Sequence, residues 1–274
     1  MTFLTFTLCT EARVIKRIKT DDVTVVGVTS VGDEMFALQQ RYRDKVVVYS
    51  TDDYRLLRRL NVPDYNPDEY CDMTSCVRRK CLYMSDNRKR CIHRYALASN
   101  DTSNWPLCFC PVGLSVTANG NLLIACNTPK QLVELSAESG KQVREISLQE
   151  DIEHLWHGVQ LTNGQFVVCH GVYGSLNRVC MIDDDGRVTG SYGREVGSGD
   201  GQLRCPSHLA VDEDSQLIFV ADDVNARVVV LSPTLQFVRY ISEGMYRPKR
   251  LHLDQTTRRM YVAQYNLDVT VTQL

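Results

Sequence analysis

Six polar residues, Gln39, Asp86, Asn127, His170, Asp222 and Gln264, each close a short apolar run. Several carry oxygen donors of the kind calcium accepts, so a fold gathering them on one axis would place a polar ring there. A plainer role fits the same residues. Asp222 can accept hydrogen bonds from loop N–H groups, Arg227 lies five residues on and can pair with it, and Asn225 tolerates the left-handed backbone a tight loop needs. A loop clamp is therefore preferred, and neither a metal ion nor another cofactor is expected.

The other candidates for chemistry are weaker. His157 and His208 begin equivalent apolar runs and are placed to approach each other, but zinc takes three or four ligands. Cys71, Cys76, Cys81 and Cys91 lack any Cys-x-x-Cys pairing, while Cys126 and Cys169 occupy a column that wants a small apolar side chain. The glycines of Gly197–Gly201 precede a strand-type run and not a helix, so they offer no phosphate-binding helix N-terminus. No nucleophile elbow is found. A catalytic set is thus missing, and the chain is not expected to be an enzyme. Cations interleaved with tyrosine do occur in loops: Arg41, Tyr42, Arg43 and Lys45, then Arg88, Lys89 and Arg90, with Lys130 further on. Such groups suit phosphates and stacked bases.

Composition sets the outer limits. The chain has 274 residues, 43% of them hydrophobic and 23% charged, which fits a soluble globular protein. Its net charge of -2 favours neither DNA nor a membrane surface. No apolar run approaches the roughly 18 residues that span a bilayer. Eleven cysteines cannot all pair within one chain, which suggests a reducing compartment and a cytoplasmic location. Residues 1–10 read as a frayed start and not as a signal peptide.

A repeat positions the candidate residues. The six polar anchors lie 47, 41, 43, 52 and 42 residues apart, about one four-stranded blade each. The run Cys205 to Ile241 shows four strands, a to d, at His208–Val211, Leu217–Ala221, Val228–Leu231 and Phe237–Ile241. Strand a carries apolar pairs two apart, such as Leu209 and Val211. Strand d carries pairs three apart: Leu57 and Leu60, Val143 and Ile146, Val238 and Ile241. In the second blade, strand a is placed near Thr74–Cys76 and strand d within Ser99–Leu107. The sixth unit ends after strand c, and Ile15 with Ile18 supplies the missing strand d pattern at the other end of the chain. The expected fold is an all-β, six-bladed β-propeller formed by residues 1–274 as one domain, its N-terminal strand closing the last blade.

Blade five resembles an NHL repeat. The resemblance rests on the Gly-rich run 197–206 ending in Pro206, the segment Leu209-Ala-Val-Asp212, and the turn Val220-Ala-Asp-Asp-Val-Asn-Ala-Arg227. Blades three and four match in part. NHL propellers of the tripartite-motif proteins are interaction platforms, so the resemblance implies a non-catalytic domain binding a protein or peptide on one face. Its alternative is single-stranded RNA bound through the basic b–c loops of blades one and two. A calcium-dependent, lactonase-like hydrolase ranks third, supported only by the polar ring. Charge is uneven: residues 1–95 carry 17 Lys and Arg against 13 Asp and Glu, and residues 96–245 carry 9 against 18. Blades six, one and two should form the basic side of the ring.

Overall fold

The computed structural model describes residues 12–20, 23–40, 45–172, 176–242, 244–265 and 268–274. Strand β1 (Arg13–Lys19) comes first, followed by five complete blades. Blade one holds β2 (Val25–Val31), β3 (Glu34–Gln39), β4 (Val46–Ser50) and β5 (Leu56–Leu60). Blade two holds β6 (Met73–Cys76), β7 (Cys81–Asp86), β8 (Cys91–Ala96) and β9 (Thr102–Pro106). Blade three holds β10 (Pro111–Val116), β11 (Leu122–Cys126), β12 (Gln131–Leu135) and β13 (Gln142–Ser147). Blade four holds β14 (Leu155–Gln160), β15 (Phe166–His170), β16 (Arg178–Ile182) and β17 (Val188–Tyr192). Blade five holds β18 (Pro206–Val211), β19 (Ile218–Asp222), β20 (Arg227–Leu231) and β21 (Phe237–Ile241). Blade six adds β22 (Pro248–Asp254), β23 (Arg259–Gln264) and β24 (Asp268–Gln273).

Each blade is a four-stranded antiparallel sheet in sequential order, and blade six reads β1-β24-β23-β22. The N-terminal strand therefore closes the ring, with Arg13 opposite Gln273 and Lys19 opposite Asp268. Closure hides the sheet edge that a three-stranded last blade would expose. The structure is a six-bladed β-propeller, as the repeat predicts. The less regular second blade also has its strands in the expected segments.

Six apolar clusters fill the six gaps between neighbouring blades; one packs Phe36 and Leu38 of blade one on Leu82 and Met84 of blade two. Strand b lies between two neighbours and is buried along its length, as in β7, β11 and β15. That double burial explains the small-residue column, where Cys126, Cys169, Ala221 and Ala263 are all fully enclosed. Turns follow residue chemistry: Gly120, Gly164 and Gly186 each adopt a positive φ after an Asn or Asp.

The strand d pairs have a cause that spacing alone does not show. Residues three apart on a regular strand face opposite sides. Register shifts at Ile15, Leu57, Val143 and Val238 mark β-bulges on the outermost strands. The first member of each pair is exposed, and its partner Ile18, Leu60, Ile146 or Ile241 is buried.

Candidate functional site: the central channel and its mouth

The first strands of the blades surround the axis. They begin at the face that also carries the b–c loops. A second family of bulges lies near their starts, at Val26, Val112, Trp156, Ser207 and Lys249. Gly113 lets β14 approach closely, because a Cβ there would sit 2.4 Å from the Trp156 carbonyl oxygen and 2.8 Å from His157 Cα. The result is a plug of polar side chains across the channel.

Asp72 is at the centre of that plug, fully buried just before β6. Its Oδ2 accepts the Leu114 N–H at 2.9 Å and His208 Nε2–H at 3.3 Å. Its Oδ1 accepts the Met73 N–H at 2.8 Å and lies 3.3 Å from Arg250 Nε. Arg250 also donates to the carbonyls of Cys71 and Glu69, joining blade six to blade two. His157 stacks on His208 with ring centroids 3.7 Å apart, so the sequence-expected approach of the two rings occurs. Burial resists the charge on Asp72, yet His208 and Arg250 hold its carboxyl at about 2. Burial, with His208 beside it, pulls His157 down to about 3.

The plug does not suit a cation. His208 Nδ1 accepts the Leu251 N–H, which puts the ring proton on Nε2, facing Asp72. His157 Nε2 donates to the Leu114 carbonyl at 3.0 Å. Arg250 already neutralises the one carboxylate, so a divalent ion would bring uncompensated buried charge.

Two cavities flank the plug. The inner one, about 170 Å³, is lined mainly by apolar strand a residues and His252. The outer one, about 400 Å³, opens at the mouth and is lined by Tyr70, Trp156, Asp223, Arg247, Lys249 and Tyr265 among others. Tyr70 and Trp156 lie parallel with centroids 6.1 Å apart. Arg247 spans both Asp223 oxygens at 2.9 and 3.1 Å, and Lys249 Nζ reaches the same carboxylate at 2.6 Å. Arg247 also lies 4.6 Å over the Tyr265 ring.

None of the six strand b anchors lines either cavity. They sit one strand further from the axis and turn toward the b–c and d–a loops of their face. Asp222 accepts the Arg204 N–H at 2.7 Å and both Asn225 Nδ2 and Arg227 Nε at 2.8 Å. Arg227 passes the clamp on to the carbonyls of Ser198 and Gln202, so the Gly-rich run is held from one side chain. His170 donates to the Glu153 carbonyl, and Gln264 accepts the Tyr246 N–H. Asp86 accepts the Lys89 N–H and faces His93, Gln39 is fully enclosed, and Asn127 is half-buried. One detail of the expected clamp is corrected. The left-handed residue is Ala226, at φ 52°, because Asp223–Asn225 form a 3-10 turn and the Asn225 amide is bonded to Asp222 and Gly197.

The basic loops are only partly described: Arg41, Tyr42 and Arg43 lie outside the described residues. Lys45 is buried, reaches the Val62 carbonyl, and is lowered by burial. Arg88 is exposed and pairs with Asp68 at 2.8 Å, and Lys89 donates to the Asp64 carbonyl. Arg90 is exposed, whereas Lys130 donates to the Glu150 carbonyl at 2.8 Å in the next blade. Asp72, Arg247, Lys249 and Arg250 escaped sequence reading because Asp72 lies just before β6, the other three cluster at the start of β22, and no local motif unites the two segments.

No protein-family profile matches the chain, and no curated protein matches it. Solved structures do resemble it. Hydrazine synthase of Kuenenia stuttgartiensis superposes with TM-score 0.67 at 14% identity, over 94% of this chain and 97% of that one. A catalytically inactive virginiamycin B lyase from Staphylococcus aureus, with quinupristin, gives TM-score 0.67 at 10% identity over 96% and 100%. A streptogramin B lyase gives 0.67 at 10% identity over 94% and 96%. At such identities the likeness is one of fold: the chain shares the six-bladed propeller of these proteins.

Proposed function

We propose that this protein is a non-catalytic interaction platform whose channel mouth binds a peptide segment of a partner protein. The observation that carries the reading is the outer cavity. Its about 400 Å³ falls within the usual range of ligand pockets, and exposed Tyr70 and Tyr265 flank it with half-buried Trp156. Arg247, Lys249 and Arg250 meet Asp223 and Glu69 in its lining, and Arg250 is balanced from below by Asp72 of the plug. A charge-balanced aromatic mouth suits a peptide's side chains and backbone better than a polyphosphate. The clamp of Asp222, Asn225 and Arg227 supports an NHL-type blade. Committed hydrogen bonds in the plug argue against lyase or lactonase chemistry.

The test is selection of binders from a random peptide display library on the full chain. Selected peptides should lose about tenfold or more in affinity against Tyr265→Ala or Lys249→Ala and change little with salt. Failure to enrich any peptide, or indifference to both variants, would overturn the reading. The RNA alternative is tested in parallel by anisotropy with a random single-stranded pool at two salt concentrations. Tight binding that falls steeply with salt and vanishes in Arg88→Glu/Arg90→Glu would replace the peptide proposal.

A further inference from the structure

We propose that Asp86, Cys91 and His93 form a zinc-type metal site beneath the b–c turn of blade two. The donors come from both arms of one hairpin. In the pairing of β7 with β8, Asp86 faces Cys91 and Met84 faces His93, so Cys91 and His93 lie two apart on the same face of one strand. Their ligand atoms converge within 4.8 Å of one another. Cys91 Sγ lies 3.5 Å from His93 Nε2, which lies 3.2 Å from Asp86 Oδ2. Tetrahedral zinc with bonds of about 2.3 Å to sulfur and about 2.0–2.1 Å to nitrogen and oxygen has ligand–ligand edges of roughly 3.3–3.6 Å. The two separations to His93 Nε2 are already close to those edges.

Burial and charge agree with the geometry. Asp86, Cys91 and His93 are 2, 7 and 1% exposed. One His93 nitrogen faces both the sulfur and the carboxylate, and its single proton cannot serve both well. The other nitrogen, Nδ1, is buried with no hydrogen-bond partner among the described residues. A dication bound by one thiolate and one carboxylate leaves the buried site neutral, the reverse of the axial plug. On binding, the Cys91 thiol gives its proton to solvent, His93 coordinates through Nε2 with its proton on Nδ1, and Asp86 is already ionised. Three protein donors leave the fourth position to water.

The surroundings hold the donors in place. The Lys89 N–H takes Asp86 Oδ1 at 2.8 Å, which leaves Oδ2 aimed inward. Lys45, the nearby buried cation, turns to the Val62 carbonyl. The Tyr65 ring packs on His93 at 4.6 Å. Bound metal would tie down the turn that carries Arg88, Lys89 and Arg90.

The experiment titrates Co(II), then Zn(II), into chelator-stripped full-length protein. Cys108→Ser/Cys110→Ser serves as the background, because those two thiols are exposed and half-buried. The expected result is one equivalent of Co(II) with a thiolate charge-transfer band that Zn(II) abolishes. Cys91→Ser should lose the band, His93→Gln should weaken binding about 100-fold or more, and the axial His208→Gln should change neither. Absence of the band, its persistence in Cys91→Ser, or its loss in His208→Gln would overturn the proposal. Should Cys91→Ser fail to fold, Asp86→Asn decides: it should keep the band with affinity weakened about tenfold or more, and unchanged affinity would overturn the site.

Discussion

Histidine shows how position decides chemistry in this molecule. His157, His170 and His252 are buried, and burial pulls their pKa values down to about 3, 4 and 4. His252 is held neutral between Ser30 and Thr29, with Nε2 2.8 Å from the Ser30 hydroxyl. Unfolding returns each to about 6.5, so the unfolded chain binds more protons below that pH. The folded pKa is depressed in every case. Their contribution is therefore complete above about pH 6.5 and is lost as pH falls toward 4, at up to about 1.4 kcal/mol per pH unit per histidine. Tm should fall steadily from pH 7 to pH 4.5, with a shallower slope in His252→Gln, by calorimetry. A Tm flat across that range would contradict the buried neutral state. His157 and His208 were recognisable as a pair from the repeat, but their partner Asp72 was not, because it lies on a connection with no pattern of its own.

At the scale of the strand, the bulges separate residues that look equivalent in sequence. Ile15 and Ile18 match the same spacing, yet Ile15 is 42% exposed at a bulge and Ile18 is 4% exposed within an inter-blade core. Ile18→Ala should cost about 2–4 kcal/mol and Ile15→Ala less than about 0.5 kcal/mol by denaturant unfolding. Equal costs would mean that β1 pairs in another register. Strand positions were legible because apolar alternation survives in a single chain. Bulges were not, because an inserted residue shows only once pairing partners are known.

For the whole ring, closure by β1 is the feature on which most else depends. Blade six has three strands of its own, and its outer edge is covered only by a segment from the other end of the chain. Deleting residues 1–18 should lower Tm markedly and promote association through the uncovered edge, read by calorimetry and light scattering. An unaltered Tm would show that the ring does not need this strand. Closure also places the basic N-terminal third beside the basic C-terminal segment, although part of that charge is taken up by Asp64, Asp68 and Asp86 around Arg88, Lys89 and Lys45.

The sequence by itself determined the number of blades, the four strands of each, the closing strand and the Asp222–Arg227 clamp. These are local or periodic features, and period and turn chemistry are written in consecutive residues. Only the tertiary structure decided what faces the axis. The b-strand anchors turn to their loops, while Asp72, Arg250 and the two stacked histidines fill the channel from four different blades. It also brought Asp86 across from Cys91 and within 3.2 Å of His93. The reason is physical: channel and hairpin neighbours are set by bulges, strand pairing and close packing at Gly113, none of which leaves a spacing that one chain can display.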